Sequence, residues 1–402
     1  MHAPAISAPP PPRLKVILAM GIAQILAWGS SYYLPAVLAA PIAAATGWSL
    51  SLVVGGLSLG LLVSGLVSPR IGAWIEARGG RGVLAGSAVL LAGGLVLMGL
   101  ARDPAMFLAA WLVLGLGMGA GLYDPAFATL GRLYGAEARV AIIGLTLVAG
   151  FASTLCWPLS AWLLGRLGWR GAAFSYAALD LCVALPLYWC ALPREAPRHA
   201  PPRARRRAAP AVPGRAMLFA AVAFGLTLAS VIAAVMSVYL LVILHARGMD
   251  EAAAVGIGAL VGPCQVGARL LDLLLGRRLH PVWTTLLSCV LVAAGFILAL
   301  VGGTPVLIGG VICYGLGIGL RSIVRGTLPL ALFGAEGYAV LIGRLAFPAL
   351  IAQAAAPSVG AVLLAHGGSG AMLWVLLGAA VVNIAATLAI WPLMRRTARP
   401  AC

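Results

Sequence analysis

The chain has 402 residues, of which 62% are hydrophobic and only 9% charged. A water-facing surface carries roughly 25% charged residues, so a soluble globular enzyme is excluded. The formal charge of +17 would suit a nucleic-acid binder, but the basic residues form no stripe with interleaved aromatics; they flank apolar runs, as anchors beside a bilayer do.

Residues 1–14 are a Pro-rich tail, expected to be disordered. Arg13 and Lys15 then open an apolar run without a small-residue cleavage site, which reads as an uncleaved first helix. Runs long enough to cross ~30 Å of hydrocarbon recur along the chain. They lack period-two alternation and are too long for barrel strands, so they are helices, which satisfy their own backbone groups in lipid. Predicted helices span 15–41, 49–70, 82–101, 104–131, 138–165 and 170–192, a first six-helix bundle over 15–192. A segment over 193–214, rich in Pro, Ala and Arg, cannot pack a core and reads as a solvated cytoplasmic linker; it holds Arg203, Arg205, Arg206 and Arg207. A second bundle over 215–394 holds predicted helices at 216–244, 251–275, 282–302, 305–330, 338–364 and 369–393, followed by a tail over 395–402. The expected fold class is therefore an all-α membrane protein of twelve transmembrane helices in two six-helix bundles.

Arginine placement orients the chain. With both termini cytoplasmic, 20 of the 27 basic residues fall on the inner side and only Arg102, Arg166, Arg170 and Arg247 outside, a strong positive-inside bias. Arg321, Arg325 and Arg344 lie within or at the ends of helices.

An internal repeat supports two equivalent halves. Gly115-Leu-Gly117-Met-Gly119 recurs as Gly315-Leu-Gly317-Ile-Gly319, 200 residues later. Gly135-Ala-Glu137, Gly144 and Pro158 recur as Gly334-Ala-Glu336, Gly343 and Pro357. The turns Gly47-Trp48-Ser49 and Gly248-Met249-Asp250 correspond, each ending on a helix N-cap residue. Two parallel halves imply a pseudo-two-fold axis along the membrane normal and a site at their interface. The Gly runs sit inside apolar helices without a following Lys-Ser/Thr, so they are packing seams and not phosphate loops.

This arrangement resembles the major facilitator superfamily over nearly the whole chain. Gly72, Glu76, Gly79 and Arg81 look like that superfamily's gating motif in the loop between helices 2 and 3, with Glu76 where the family usually has Asp and Ala77 where it has Arg. Gly267 to Asp272, with Gly276-Arg277-Arg278, is the corresponding, shorter region after helix 8. The Gly-Trp-Ser turn and the Gly-x-Arg-Leu stretch at Arg269 resemble the monocarboxylate-carrier and oxalate/formate-antiporter branch. There the resemblance implies that Arg269 contacts a substrate carboxylate; an acid stands four positions earlier in some relatives, where this chain has Gln265.

Intramembrane charges are costly and hence candidates for function. Arg321 and Arg325 are four residues apart on one helical face and offer bidentate donors to an anion; they could also snorkel to the headgroups or brace helices. Asp124 and Asp180 are the acids well inside apolar runs and are the candidates for proton coupling; Asp124 could instead neutralise an arginine such as Arg132, and Asp180 could make a helix–helix hydrogen bond. Glu137 and Glu336 precede helices, where an acid favours the positive end. Gln24, Trp28 and Ser31 share one face of helix 1 and suit either a solute cavity or interhelical packing. Tyr32, Tyr123, Trp157, Ser230 and Gln353 are further cavity candidates. The seven cysteines show no metal spacing and read as small apolar packers, and the histidines are scattered, so no catalytic cluster, metal or cofactor is expected. The reading is a secondary transporter, not an enzyme, which moves a small solute, an organic anion such as a carboxylate, by alternating access. A proton-driven efflux pump for amphipathic or cationic compounds is the alternative, and a non-transporting receptor or membrane enzyme a remote one. The expected partners are the solute, the lipid bilayer of a cytoplasmic or plasma membrane and protons as coupling ion, with no nucleic acid, in a monomer.

Overall fold

The computed structural model describes residues 13–195, 214–275 and 279–398. The expected N-terminal disorder, most of the 193–214 linker, Arg277, Arg278 and the end of the last tail lie outside them. All regular structure among the described residues is helical. In chain order, α1 is Arg13–Ser30, α2 Pro35–Thr46, α3 Leu50–Arg78, α4 Arg81–Leu100, α5 Pro104–Gly121, α6 Tyr123–Tyr134, α7 Ala138–Ala149, α8 Ala152–Leu179 and α9 Leu185–Ala191. The second part holds α10 Arg215–Ala246, α11 Glu251–Ala259, α12 Val261–Leu275, α13 Pro281–Val301, α14 Thr304–Phe333 and α15 Tyr338–Ala398.

Several predicted helices are interrupted. The one expected over 15–41 is two, α1 and α2, and Pro35 opens α2 where a missing N–H costs nothing. The one expected over 104–131 breaks at Leu122, whose extended ψ of −161° separates α5 from α6. Helix α3 runs past its predicted end at 70, through Pro69, to Arg78. Conversely, α8 and α15 each continue through a hidden break, at Gly168 (φ 70°) and Gly368 (φ 66°), a left-handed conformation that glycine adopts without a Cβ clash. Nine stretches among the described residues are long and apolar enough to cross a bilayer, and the longest has 88 residues. A straight helix of that length would measure roughly 130 Å, so at its breaks it must fold back through a ~30 Å core.

The repeat is visible as repeated packing. Gly115 approaches Gly60 and Val63, and Gly315 approaches Val261 and Cys264. Gly117 meets Leu91 and Gly317 meets Val292, while Gly119 meets Ser64 and Val67 and Gly319 meets Gln265 and Ala268. In each pair the partner also lies 201 positions further on, as with residues 91 and 292. Both turns behave alike: Ser49 accepts from the Leu52 N–H and Asp250 from the Ala253 N–H, after Gly47 and Gly248 at φ 74° and 84°.

The two halves meet along two seams. In one, α3 lies on α15: Gly65 packs on Leu350 and Ile351, and Gly72 packs on Ala339 and Gly343. In the other, α6 and α7 face α12 and α14: Phe127 and Ile142 cover Gly326, and the Thr146 carbonyl accepts from Arg269. Tyr338 fills the space over Gly131 and donates to the Gly326 carbonyl at 2.7 Å.

A side chain at 115 or 315 would stand 2.6 Å from the Gly60 carbonyl oxygen or 2.8 Å from Cys264 Cβ. Gly115→Leu and Gly315→Leu are each expected to destabilise by about 1–3 kcal/mol through overpacking. Gly93→Leu, whose Cβ has open space on α4, serves as the neutral control. Thermal unfolding in detergent reads the difference; three equal midpoints would remove the seam argument.

Candidate functional site

A guanidinium inside an apolar bundle needs acceptors, since a buried unpaired charge is prohibitive. Three arginines face this problem where the halves meet, and each meets it differently. Arg269, only 5% exposed on α12, has an acceptor for each of its three nitrogens. Its Nε donates to Ser322 Oγ at 2.9 Å, Nη1 to the Thr146 carbonyl at 3.2 Å and Nη2 to Gln265 Oε1 at 3.1 Å. Gln265, one turn before Arg269, thus acts as an acceptor for the guanidinium. Arg325 on α14 forms a fork-to-fork pair with Asp124 on α6, Nε to Oδ1 at 2.7 Å and Nη2 to Oδ2 at 2.6 Å. Arg321, one turn away, has a single acceptor among the described residues: Nη2 donates to Ser230 Oγ at 2.8 Å. Its other donors are unspent.

Asp124 is therefore the partner of Arg325 and not of Arg132. Arg132 is held elsewhere, at the end of α6, by Glu195 Oε2 at 2.6 Å and by the Ile75 and Glu76 carbonyls. The loop placement of the gating motif also needs correction. Gly72 and Glu76 lie inside α3, and only Gly79, at φ 88°, and Gly80 turn the chain. Arg81 opens α4 with its guanidinium 4.4 Å from the Trp189 ring centroid. Glu195 ties these ends together, since it also accepts from the Gly80 N–H at 3.4 Å.

A small cavity between the halves is lined by Asp124, Ser230, Arg321 and Arg325, with Ile342 and Ala346 of α15 among its apolar walls. Aromatic rings stand nearby on the first half. Trp28 packs on Tyr32 at 5.3 Å and on Tyr123 at 4.9 Å, Tyr32 on Tyr33 at 5.4 Å, and Tyr33 on Trp157 at 6.1 Å. Tyr32 and Tyr314 lie within electrostatic reach of Arg321, and Tyr33 and Tyr123 within reach of Arg269. Gln353 of α15 donates to the Tyr32 hydroxyl at 3.2 Å, which joins the halves across this shell.

Other sequence candidates lie apart from that cavity. Gln24 is fully buried; it donates to the Gly121 carbonyl and to Tyr188 at 3.2 Å and accepts from Trp28 at 3.2 Å, so it acts as interhelical glue that also orients Trp28. Asp180 is 0% exposed in a π-helical turn, Asp180–Ala184, against α1 and α4, and neither carboxyl oxygen has a hydrogen-bond partner within normal geometry. Such π turns often mark functional positions in helices. Arg344 is exposed on α15. Glu137 pairs with Arg13. Sequence reasoning missed Tyr33, Tyr314, Ser322 and Glu195; the first two repeat an aromatic-beside-cavity signal present elsewhere, whereas Ser322 and Glu195 gain meaning only from tertiary neighbours.

Breaking a buried pair by removing one charge costs far more than removing both. Asp124→Asn is expected to destabilise by about 3 kcal/mol, and Arg325→Met in the same chain to recover most of that loss. Thermal unfolding of the two single variants and the double variant checks the cycle; additive losses would mean that the pair is not coupled.

Comparison with known proteins agrees with this architecture. The family model described as Major Facilitator Superfamily matches residues 20–336. Monocarboxylate transporter 11 of Mus musculus is 37% identical over 129 residues, which is 31% of this chain and 28% of that protein; the match thus spans less than a third of the relative's length. Two solved structures share the fold over almost the whole chain. The human organic anion transporter MFSD10 (TETRAN) superposes with a TM-score of 0.74 at 18% identity, over 94% of this chain and 100% of that one. The transporter FucP, in its outward conformation, superposes with a TM-score of 0.71 at 13% identity, over 96% and 99%. The family match across most of the sequence, carried by an all-helical body of apolar spans, places the chain in the major facilitator superfamily, as a multi-pass integral membrane protein that acts as a secondary transporter of small solutes and not as an enzyme.

Proposed function

We propose that the transported solute is a small organic anion, a carboxylate, held between the halves by Arg321 and Arg269 and moved by alternating access. One observation carries this reading: three guanidinium groups meet at the interface and one carboxylate, Asp124, is spent wholly on Arg325. Arg321 keeps open donors toward a cavity, and a planar carboxylate fits that fork. The Tyr32, Tyr123, Trp28 and Gln353 shell supplies neutral walls and hydroxyl groups. Two of the similar proteins are named for carrying monocarboxylates and organic anions, the same class.

In this reading the body is a monomer of twelve crossings, with bundles at 15–192 and 215–394. Both termini and the 193–214 linker are cytoplasmic, in a cytoplasmic or plasma membrane. Coupling to protons runs through Asp124 or Asp180. A proton on Asp124 would release Arg325 and loosen the bond between α6 and α14. Asp180 supports the same role differently, through a buried carboxyl with no hydrogen-bond partner within normal geometry.

The test is carboxylate uptake into reconstituted vesicles. Arg269→Ala and Arg321→Ala are each expected to lower uptake at least about tenfold, which corresponds to the loss of ~1.4 kcal/mol of binding. Arg344→Ala, on the exposed surface of α15, should leave it unchanged. Full uptake in both site variants would overturn the anion reading. An efflux pump for cationic compounds would instead lose activity on Asp124→Asn or Asp180→Asn and show no anion preference.

A further inference from the structure

The second half contains a narrow slot that does not lie between the halves. It runs along α10, α13, α14 and α15, and its walls are apolar, among them Val222, Ile232, Val292, Leu328, Ala380 and Ile390. Along α14 it extends from Ile318 to Leu328, about 15 Å of helix. Five polar side chains interrupt this lining; Thr285, Ser288 and Thr387 donate their hydroxyls to backbone carbonyls, which leaves Arg321 and Asn383. Arg321 borders both the slot and the interface cavity. Asn383 is 5% exposed and lines the slot, so its amide is open to a ligand there.

The first half differs at the equivalent position. The repeat aligns Gln24 with Gly225 and Gly121 with Arg321. In the first half the Gln24 side chain donates to the Gly121 carbonyl. In the second half that side chain is absent: Gly225 lines the slot, and a Cβ there would stand 3.1 Å from Asn383 Oδ1. The repeat thus carries a buried glutamine at this position in the first half and a glycine beside an arginine in the second.

We propose that this slot receives the hydrocarbon tail of the transported carboxylate, whose head group is held by Arg321 and Asn383; the substrates are thus medium-chain or arylalkyl carboxylates rather than short hydrophilic ones. This rests on the anion reading above and adds a specificity element to it. The carboxylate accepts from the unspent Arg321 donors and the Asn383 amide, and the tail removes apolar wall area from water.

The test uses the full chain in lipid nanodiscs and calorimetric binding of acetate and octanoate. Octanoate is expected to bind at least about tenfold more tightly than acetate, because several methylene groups leave water. Gly225→Gln, which installs the first-half residue, is expected to abolish that preference. Ala380→Leu, a smaller filling change from the opposite wall, should reduce the preference and guards against misfolding of the first variant. Equal affinities in the native protein, or a preference that survives both variants, would overturn the proposal. Octanoate binding that is unchanged in Arg321→Gln would identify an adventitious lipid-like tail site and would also overturn it. Acetate binding lost in Arg321→Gln while tail length has no effect separates a valid anion site from a failed slot; no binding of either anion sinks the anion reading itself.

Discussion

The constraint on which this structure turns is the cost of keeping guanidinium groups inside an apolar body. Every acceptor near Arg269, Arg321 and Arg325 is placed to meet that cost, and the three solutions differ. Arg269 gives one hydrogen bond from each nitrogen, to a serine, a glutamine and a backbone carbonyl from the other half. Arg325 is neutralised across the interface by Asp124. Arg321 has only Ser230. Two of the three arginines therefore bind the halves to each other, and the third stays available. In the proposed reading Arg321 supplies the open donors, while Arg269 both ties the halves together and faces the solute.

The scaffold repeats while the chemistry does not. The Gly115/Gly315 and Gly119/Gly319 contacts fall on equivalent partners, and the caps at Ser49 and Asp250 are alike. Yet Arg321 is matched by Gly121, Arg325 by Pro125 and Asp124 by Val324. A symmetric frame with asymmetric contents gives two bodies that pack alike while the charged groups at the cavity between them differ, Asp124 from the first and Arg321 and Arg325 from the second.

Much of the frame was legible in the sequence because it depends on local signals. Apolar runs, N-cap residues and the Gly-x-Gly-x-Gly spacing report on the segment in which they occur. Breaks inside helices were less legible: Gly121, before the break at Leu122, is one of several glycines in that run and does not single it out, and α3 continues to Arg78 beyond the end expected at 70. Among site residues, Arg269, Arg321 and Asp124 stood out because charge is rare in such runs. Their partners did not. Nothing local distinguishes Arg132 from Arg325 as the mate of Asp124, since the choice is made by how α6 meets α14 some 200 residues later. Glu195 belongs to the same class; it reads as linker and acts as the tie that joins the ends of α3, α4 and α6.

The glycine seams have a mechanical consequence. Where backbone rests on backbone, as at Gly115 on Gly60 and Gly295 on Gly310, there are no rotamers to flex and no side-chain volume to redistribute. Each bundle is therefore stiff along these lines. The compliant parts are the contacts made by side chains that can let go and re-form, such as the Asp124–Arg325 fork and the Gln353–Tyr32 bond. Load applied to the molecule is carried by the seams and released at those few joints.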